Sequence, residues 1–490
     1  MRKSASDATA LALSVDRRRS EPLALQLGRQ LREMILTGRM PRAARLPSSR
    51  ALALDLGLSR ATVVHAYEQL ASEGYLEGRH GSGMFVSSDL PEQVLQLQPA
   101  AAREVPARQR KAPATAARPR PFQIGAIDPA LFPFKDWSRL LQRTWRAPSR
   151  AMLSHSDPFG WHELRVAIAE HLMVWRGIAC EPARIVVTSG TADAVELIAR
   201  VALGPGARVV VEDPGYAALR YMLQRLDVTT VPVGVDADGL DVGRLGRLED
   251  MRGVIVTPSR QFPLGATLPL ARRLALIEWA ARNDAAIIED DFDSEYRYAG
   301  MPLPALTSLD TSERAIYAGS FSKVLLPTLR LGFVVLPDRL IGPAQEHLRQ
   351  RGAMASLVAQ PALAEFMRSG AYATHIRRTR RIYARRMAAL MHGAAGLARH
   401  LTLSPTAAGM HVVADLTPAV ARRFSDTRLA GELAEAGILA APMTEYFAGP
   451  PTRQALLLGF SGFSETEIAS AVQRMAGVLD ALAVRADADG

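Results

Sequence analysis

Lys323 lies in the run Ala318-Gly-Ser-Phe-Ser-Lys-Val-Leu-Leu-Pro-Thr-Leu-Arg330, and only Lys3, Lys111 and Lys135 share its residue type among 59 basic residues. An ammonium among small and apolar neighbours is costly to desolvate unless it is paired or used. Desolvation also lowers its pKa toward the free amine that attacks a carbonyl. Taken alone, the residue reads equally well as a lysine snorkelling from a strand end. Other groups with chemical potential are Ser189-Gly190-Thr191-Ala192-Asp193, Glu212-Asp213-Pro214-Gly215-Tyr216 and Glu289-Asp290-Asp291-Phe292-Asp293. A small-residue turn opening a helix offers N–H groups and a helix dipole to an anion. Each of these also has an ordinary reading, as an αβ turn, a packing tyrosine or a solvated acidic loop.

The elements that must position these groups are apolar, β-branched runs alternating with helical stretches. Candidate strands are 184–188, 208–211, 253–256, 286–288, 315–317 and 331–335, the pattern of a parallel sheet covered on both faces. Ligand groups in such α/β folds collect at the carboxyl ends of the strands. The Ser189–Ala192 turn, Tyr216, Asp290 and Lys323 with Ser320 and Ser322 all follow such ends, and Arg330 comes next along the chain. An amine, a phosphate cup, an aromatic face and a carboxylate form the set that pyridoxal 5'-phosphate requires.

The front of the chain is organised differently. Leu23, Leu27, Leu31, Met34 and Ile35 mark one face of a helix ending at Gly38. A second helix is expected from Ser48 or Ser49, burying Leu52, Leu54 and Leu56 in part. A third, capped by Ser59, carries Val63, Val64, Tyr67 and Leu70. Two β-prone pieces around Gly78–Gly83 then read as a hairpin wing, completing a winged helix-turn-helix. Arg50, Ser59, Arg60 and Thr62 near helix starts, with Arg79 and His80 at the wing tip, are the candidate DNA contacts.

Charge agrees with that reading. Residues 1–121 hold 19 Lys/Arg against 11 Asp/Glu, while residues 122–490 hold 40 against 38. A basic segment on a nearly neutral large one implies a polyanion partner. The expected organisation is a disordered stretch over 1–20, the winged helix over 21–88, a flexible Pro/Ala/Arg-rich linker over 89–121 and the α/β domain over 122–485. The single Cys180 excludes an intrachain disulfide framework and fits a reducing cytoplasm. No apolar run of about eighteen residues spans a membrane, no secretory signal is read, and no metal site is expected.

The stretches Arg45-Leu-Pro-Ser-Ser-Arg50, Leu56-Gly-Leu-Ser-Arg-Ala-Thr-Val-Val-His-Ala-Tyr-Glu-Gln-Leu70 and Glu73-Gly-Tyr-Leu-Glu-Gly-Arg-His-Gly-Ser-Gly83 closely resemble the winged helix-turn-helix of GntR-family regulators. The remainder resembles fold type I aminotransferases, so the whole chain resembles a MocR-type (GabR-like) regulator. The resemblance implies an internal aldimine at Lys323, Asp290 on the pyridine nitrogen and Tyr216 stacked on the ring. It places Ser189, Gly190, Thr191, Ala192, Ser320, Ser322 and Arg330 round the phosphate, and it implies DNA contacts from Arg50, Arg60, Thr62, His80 and Gly81 by a homodimer on an operator with paired half-sites.

Four positions depart from that pattern: Phe292 for a tyrosine, Arg260 for a histidine, His155 for a tyrosine, and Leu457 for the arginine that clamps a substrate carboxylate. Arg260 is expected to contact a bound anion, and leucine does not replace a bidentate arginine. The resulting expectation is a DNA-binding regulator that senses a vitamer or an amino compound through Lys323. The competing reading is an active aminotransferase carrying a DNA-binding extension.

Overall fold

The structure, a computed structural model, describes residues 13–17, 21–79, 82–88, 90, 119–154, 157–300, 303–352 and 354–488. The chain divides between Ala116 and Ala117 into two compact units. His80, Gly81, His155 and nearly all of the expected linker lie outside the described residues.

In the first unit α1 (Leu23–Leu36), α2 (Ser49–Asp55) and α3 (Arg60–Ser72) precede a hairpin of β1 (Leu76–Arg79) and β2 (Gly83–Val86). Leu27, Leu31 and Ile35 of α1 close a core with Leu52, Val63, Ala66, Tyr67 and Leu70. Ser48, not Ser49, caps α2 by accepting from Ala51 N at 3.2 Å, and Ser59 caps α3 by accepting from Thr62 N at 3.1 Å. Tyr67 Oη donates to Pro47 O at 3.0 Å, pinning α3 to the entry of α2.

Two expectations are corrected in this unit. Leu54 is 83% exposed, because a residue two positions after Leu52 points to the opposite side of a helix. Residues 13–17, within the stretch expected to be disordered, lie along α1 with Leu13 and Val15 against the core.

The second unit is built on an eight-stranded sheet of β3 (Ile185–Thr188), β4 (Arg208–Asp213), β5 (Thr229–Asp236), β6 (Gly239–Leu240), β7 (Met251–Val256), β8 (Ala286–Asp291), β9 (Ala315–Ser320) and β10 (Gly332–Val335), in the order β3-β10-β9-β8-β7-β4-β5-β6. Both faces are buried. Val209 and Val211 join one apolar cluster with Ile255 and Ile288, and Val210 joins the opposite one with Val254 and Ile287, as the two-residue period of a strand requires.

The sheet is mixed rather than wholly parallel, since β10 runs antiparallel to both β9 and β3. Only residues 321–331 join β9 to β10, fewer than the dozen or more that a parallel crossover needs. A second, antiparallel sheet of β11 (Leu401–Leu403), β12 (His411–Leu416), β13 (Ala441–Pro442) and β14 (Ala455–Gly459) was not foreseen. Residues 119–121, placed in the linker by composition, are joined to this unit: Arg120 Nη1 donates to Ala434 O and Leu439 N to Pro121 O. Among the described residues no helix is long and apolar enough to cross a membrane.

Candidate functional site

The end of β8 sorts its carboxylates by strand parity. Glu289 and Asp291 point to one face, where Arg176 meets them: its Nη2 lies 3.6 Å from Glu289 and its Nε 2.9 Å from Asp291. The Nε contact is off the line of a hydrogen bond, so charge rather than a directed bond joins that pair. Asp290 points to the other face. One cavity there is lined by Thr191, Asp290 and Ser320, and an adjoining one by Asp290, Tyr216 and Phe262. Burial, with Asp291 and Asp293 adding repulsion, pushes the Asp290 carboxyl up to about 7. Its neighbour Glu212 is also raised to about 7 by burial, against hydrogen bonds from Thr257 and Gln261.

Lys323 sits in the short β9–β10 connection, and its Nζ donates to Gly125 O at 3.3 Å. Desolvation lowers its pKa, with Asp293 pulling in the opposite direction. A Cβ on Gly125 would lie 2.5 Å from Nζ, so only glycine at that position, at φ 72°, leaves room for the amine and anything attached to it.

The helix Thr191–Ile198 starts immediately after β3 and Gly190, leaving first-turn N–H groups without intrahelical partners. Ser189 N is already occupied by Asp193 Oδ2 at 2.7 Å, so the cup depends on the positions after it. Thr188 Oγ1, just below, is buried without a hydrogen-bond partner among the described residues. Ser320 Oγ accepts from Ser322 N at 3.2 Å. Arg330 is exposed at φ 51°, and no described contact joins it to the others.

The departures acquire physical content. Phe292 packs edge-on against Phe262, which also meets Tyr216, His411 and Tyr446 with ring centroids 5.3–5.9 Å away. Arg260 is not held out for an anion: it pairs with Asp293 at 3.2 Å and donates to Ala408 O and His411 O at 2.9 and 3.1 Å. A buried guanidinium must satisfy its donors inside the protein, and this one does. Leu457 is fully buried with Met443, Ala455 and Val413. Arg453, the arginine four positions before Leu457, is spent on Asp415.

Gly125, Thr188 and Arg176 are site or support residues that the sequence did not single out. A lone glycine, threonine or arginine in this chain carries no distinguishing pattern.

A pH dependence follows from the raised acids. Asp290 and Glu212 keep protons near neutrality that the unfolded chain has already released, so the folded state binds more protons and stability falls as pH rises from about 4 through about 7. Asp290→Asn in the cofactor-free chain is expected to raise the melting midpoint at pH 8, by a stability on the order of a few kcal/mol, and to do nothing near pH 4. An equal shift at both values would exclude this origin.

In the first unit Arg50 and Arg60 are exposed. Ser59 Oγ and Thr62 Oγ1 lie 2.7 Å apart and share a hydrogen bond. Arg79 is engaged within the wing, 2.7 Å from Glu77 and stacked 4.7 Å from the Phe85 ring centre.

A winged helix-turn-helix followed by an aminotransferase-type α/β unit defines a class of DNA-binding transcription regulators. Residues 23–86 match the family of bacterial regulatory proteins of gntR type, and residues 125–475 match aminotransferase class I and II. The chain is 37% identical to the probable rhizopine catabolism regulatory protein MocR of Rhizobium meliloti, over 92% of each chain. It is 34% identical to the pyridoxine biosynthesis transcriptional regulator PdxR of Corynebacterium glutamicum, over 90% of this chain and 92% of the other. In fold it is similar to the α-aminoadipate aminotransferase LysN of Thermus thermophilus, solved with N-(5'-phosphopyridoxyl)-L-leucine, with a TM-score of 0.67 and 24% identity over 74% of this chain and 92% of that one. The chain belongs to the MocR-type regulators of the GntR family.

Proposed function

We propose that the aminotransferase-like unit holds pyridoxal 5'-phosphate covalently at Lys323 and that a vitamer or amino compound read there changes the affinity of a cytoplasmic homodimer for paired operator half-sites. The observation that carries this reading is the partly desolvated Lys323 amine facing the bare Cα of Gly125. The other groups fit the same occupant. Asp290 opens onto the cavities that also take Tyr216, Thr191 and Ser320, and Thr188 Oγ1 waits without a partner.

When bound, the cofactor supplies an aldehyde and an electron-accepting ring. The chain supplies the rest. Asp290 holds a charge or a proton at the pyridine nitrogen, Tyr216 covers a ring face, and the Gly190–Ala192 N–H groups with Ser320, Ser322 and Arg330 bind phosphate. Leu457 in an apolar cluster offers no clamp for a substrate carboxylate, which favours sensing over turnover. Linkage then requires only that the ligand favour one arrangement of the dimer.

The deciding experiment mixes the cofactor-loaded chain with amino acids and an oxo-acid acceptor. Conversion limited to one equivalent, or none, with a change in DNA affinity is expected. Many rapid turnovers would sink the sensor reading in favour of an aminotransferase. For the DNA unit, Arg60→Ala is expected to cost about 1–3 kcal/mol of specific binding and to relax sequence preference, measured by competition between specific and non-specific duplexes.

A further inference from the structure

Side-chain amides fix a length of backbone on the DNA-binding unit. Gln26 accepts from Asp16 N at 2.9 Å and donates to Asp16 O at 3.0 Å, with a further bond to Glu21 O at 2.8 Å. One turn further along α1, Gln30 does the same for Ser14, accepting from its N–H at 3.1 Å and donating to its carbonyl. A primary amide presents one acceptor and two donors, so it can pair with a peptide group as a neighbouring strand would.

The spacings also match. Four residues of helix rise about 6 Å and two residues of strand about 6.6 Å, so Gln26 and Gln30 engage alternate residues of an antiparallel segment. Leu13 and Val15, which alternate with Ser14 and Asp16, pack on the core. Gln26 is only 3% exposed. A buried amide is costly when unpaired, so losing the segment would leave a cost on α1.

Arg17 follows on the same segment, and its Nη2 donates to Gly57 O. Gly57 lies in the turn that follows α2, two positions before Ser59 caps α3. Arg17 is exposed and has no acidic partner among the described residues. Its guanidinium is thus held at the helix-turn-helix turn, by a latch whose inner member, Gln26, is buried while Ser14, Asp16 and Arg17 face solvent.

We propose that Arg17 contacts a DNA phosphate beside the half-site, and that Gln26 and Gln30 are positioning residues that hold it next to the recognition helix. A phosphate contact of this kind fixes register and adds affinity without reading sequence. The inference rests on DNA binding through the winged helix.

The test uses the full chain and a duplex that the wild type selects from a random-sequence library, titrated over a salt series. Arg17→Ala is expected to weaken binding to every sequence alike and to make the slope of log affinity against log salt shallower by about 0.9, the loss of one phosphate contact. Arg17→Lys restores the slope. Gln26→Leu with Gln30→Leu lowers it with Arg17 still present. A purely structural role would lower the melting midpoint of this unit and leave the slope alone. An unchanged slope in Arg17→Ala, with wild-type binding intact, overturns the proposal while sparing the winged-helix reading. No duplex selected by the wild type would overturn both.

Discussion

Lys323→Ala is expected to abolish covalent retention of pyridoxal phosphate. After borohydride treatment and denaturation, the wild-type chain should carry one added cofactor mass and the variant none. The argument is local. Among residues 315–335 Lys323 is the one amine, and it is placed in a connection whose two ends are fixed by β9 and β10. Desolvation lowers its pKa, which raises the fraction present as nucleophilic amine at neutral pH.

The variant should still bind the cofactor reversibly, since the Asp290 and Gly190–Ala192 groups are untouched. Dialysis should remove it together with its visible absorbance. DNA binding by the cofactor-free variant should match that of the cofactor-free wild type, because α1, α2 and α3 lie in the other unit. A borohydride-fixed mass in the variant would move the attachment to another residue.

The strand that carries Asp290 and the one that leads to Lys323 were legible because both faces of the sheet are buried. Runs such as Ala286–Ile288 and Gly253–Val256 are therefore continuously apolar, and strand-end residues stand out against them. Strand direction was not legible in the same way, since periodicity is identical for parallel and antiparallel pairs. The brevity of 321–331 was the available signal for the reversal of β10, and it outweighs the parallel pattern around it.

Side-chain partners were legible only where the partner is close in sequence. Arg260 resembled a free cation because Asp293, Ala408 and His411 come from distant segments. Leu54 was misplaced by counting apolar residues rather than their angle about the helix. The 13–17 segment was missed because its fixation resides in two glutamines, residues that seldom signal a docking partner.

Arg176→Met is expected to be the most destabilising single change near the site, by about 3–5 kcal/mol, the usual penalty for removing one partner of a buried ion pair. Arg176 is 5% exposed, and Glu289 beside it is 0% exposed. Its guanidinium also donates to Ser259 Oγ and to Leu303 O, and its own carbonyl accepts from Ala305 N. One residue thereby ties the end of β8 to the loop after β7 and to the segment before β9.

Glu289 keeps bonds from Leu306 and Thr307, and Asp291 keeps those from Ser294 and Tyr317. Without Arg176 the two carboxyls would nonetheless be buried together with no cation in ion-pair contact, Arg273 acting on them only from farther off. Their common escape is protonation, so the variant should recover stability toward low pH, whereas a cavity defect would be independent of pH. The consequence reaches Asp290, which stands between them on the strand. The variant should release pyridoxal phosphate more readily on dialysis while Lys323 still forms its covalent link. Denaturant unfolding of the aminotransferase-like unit at pH 5 and pH 8 separates these outcomes, and a midpoint equal to wild type at pH 8 would show that the pair contributes no net stability.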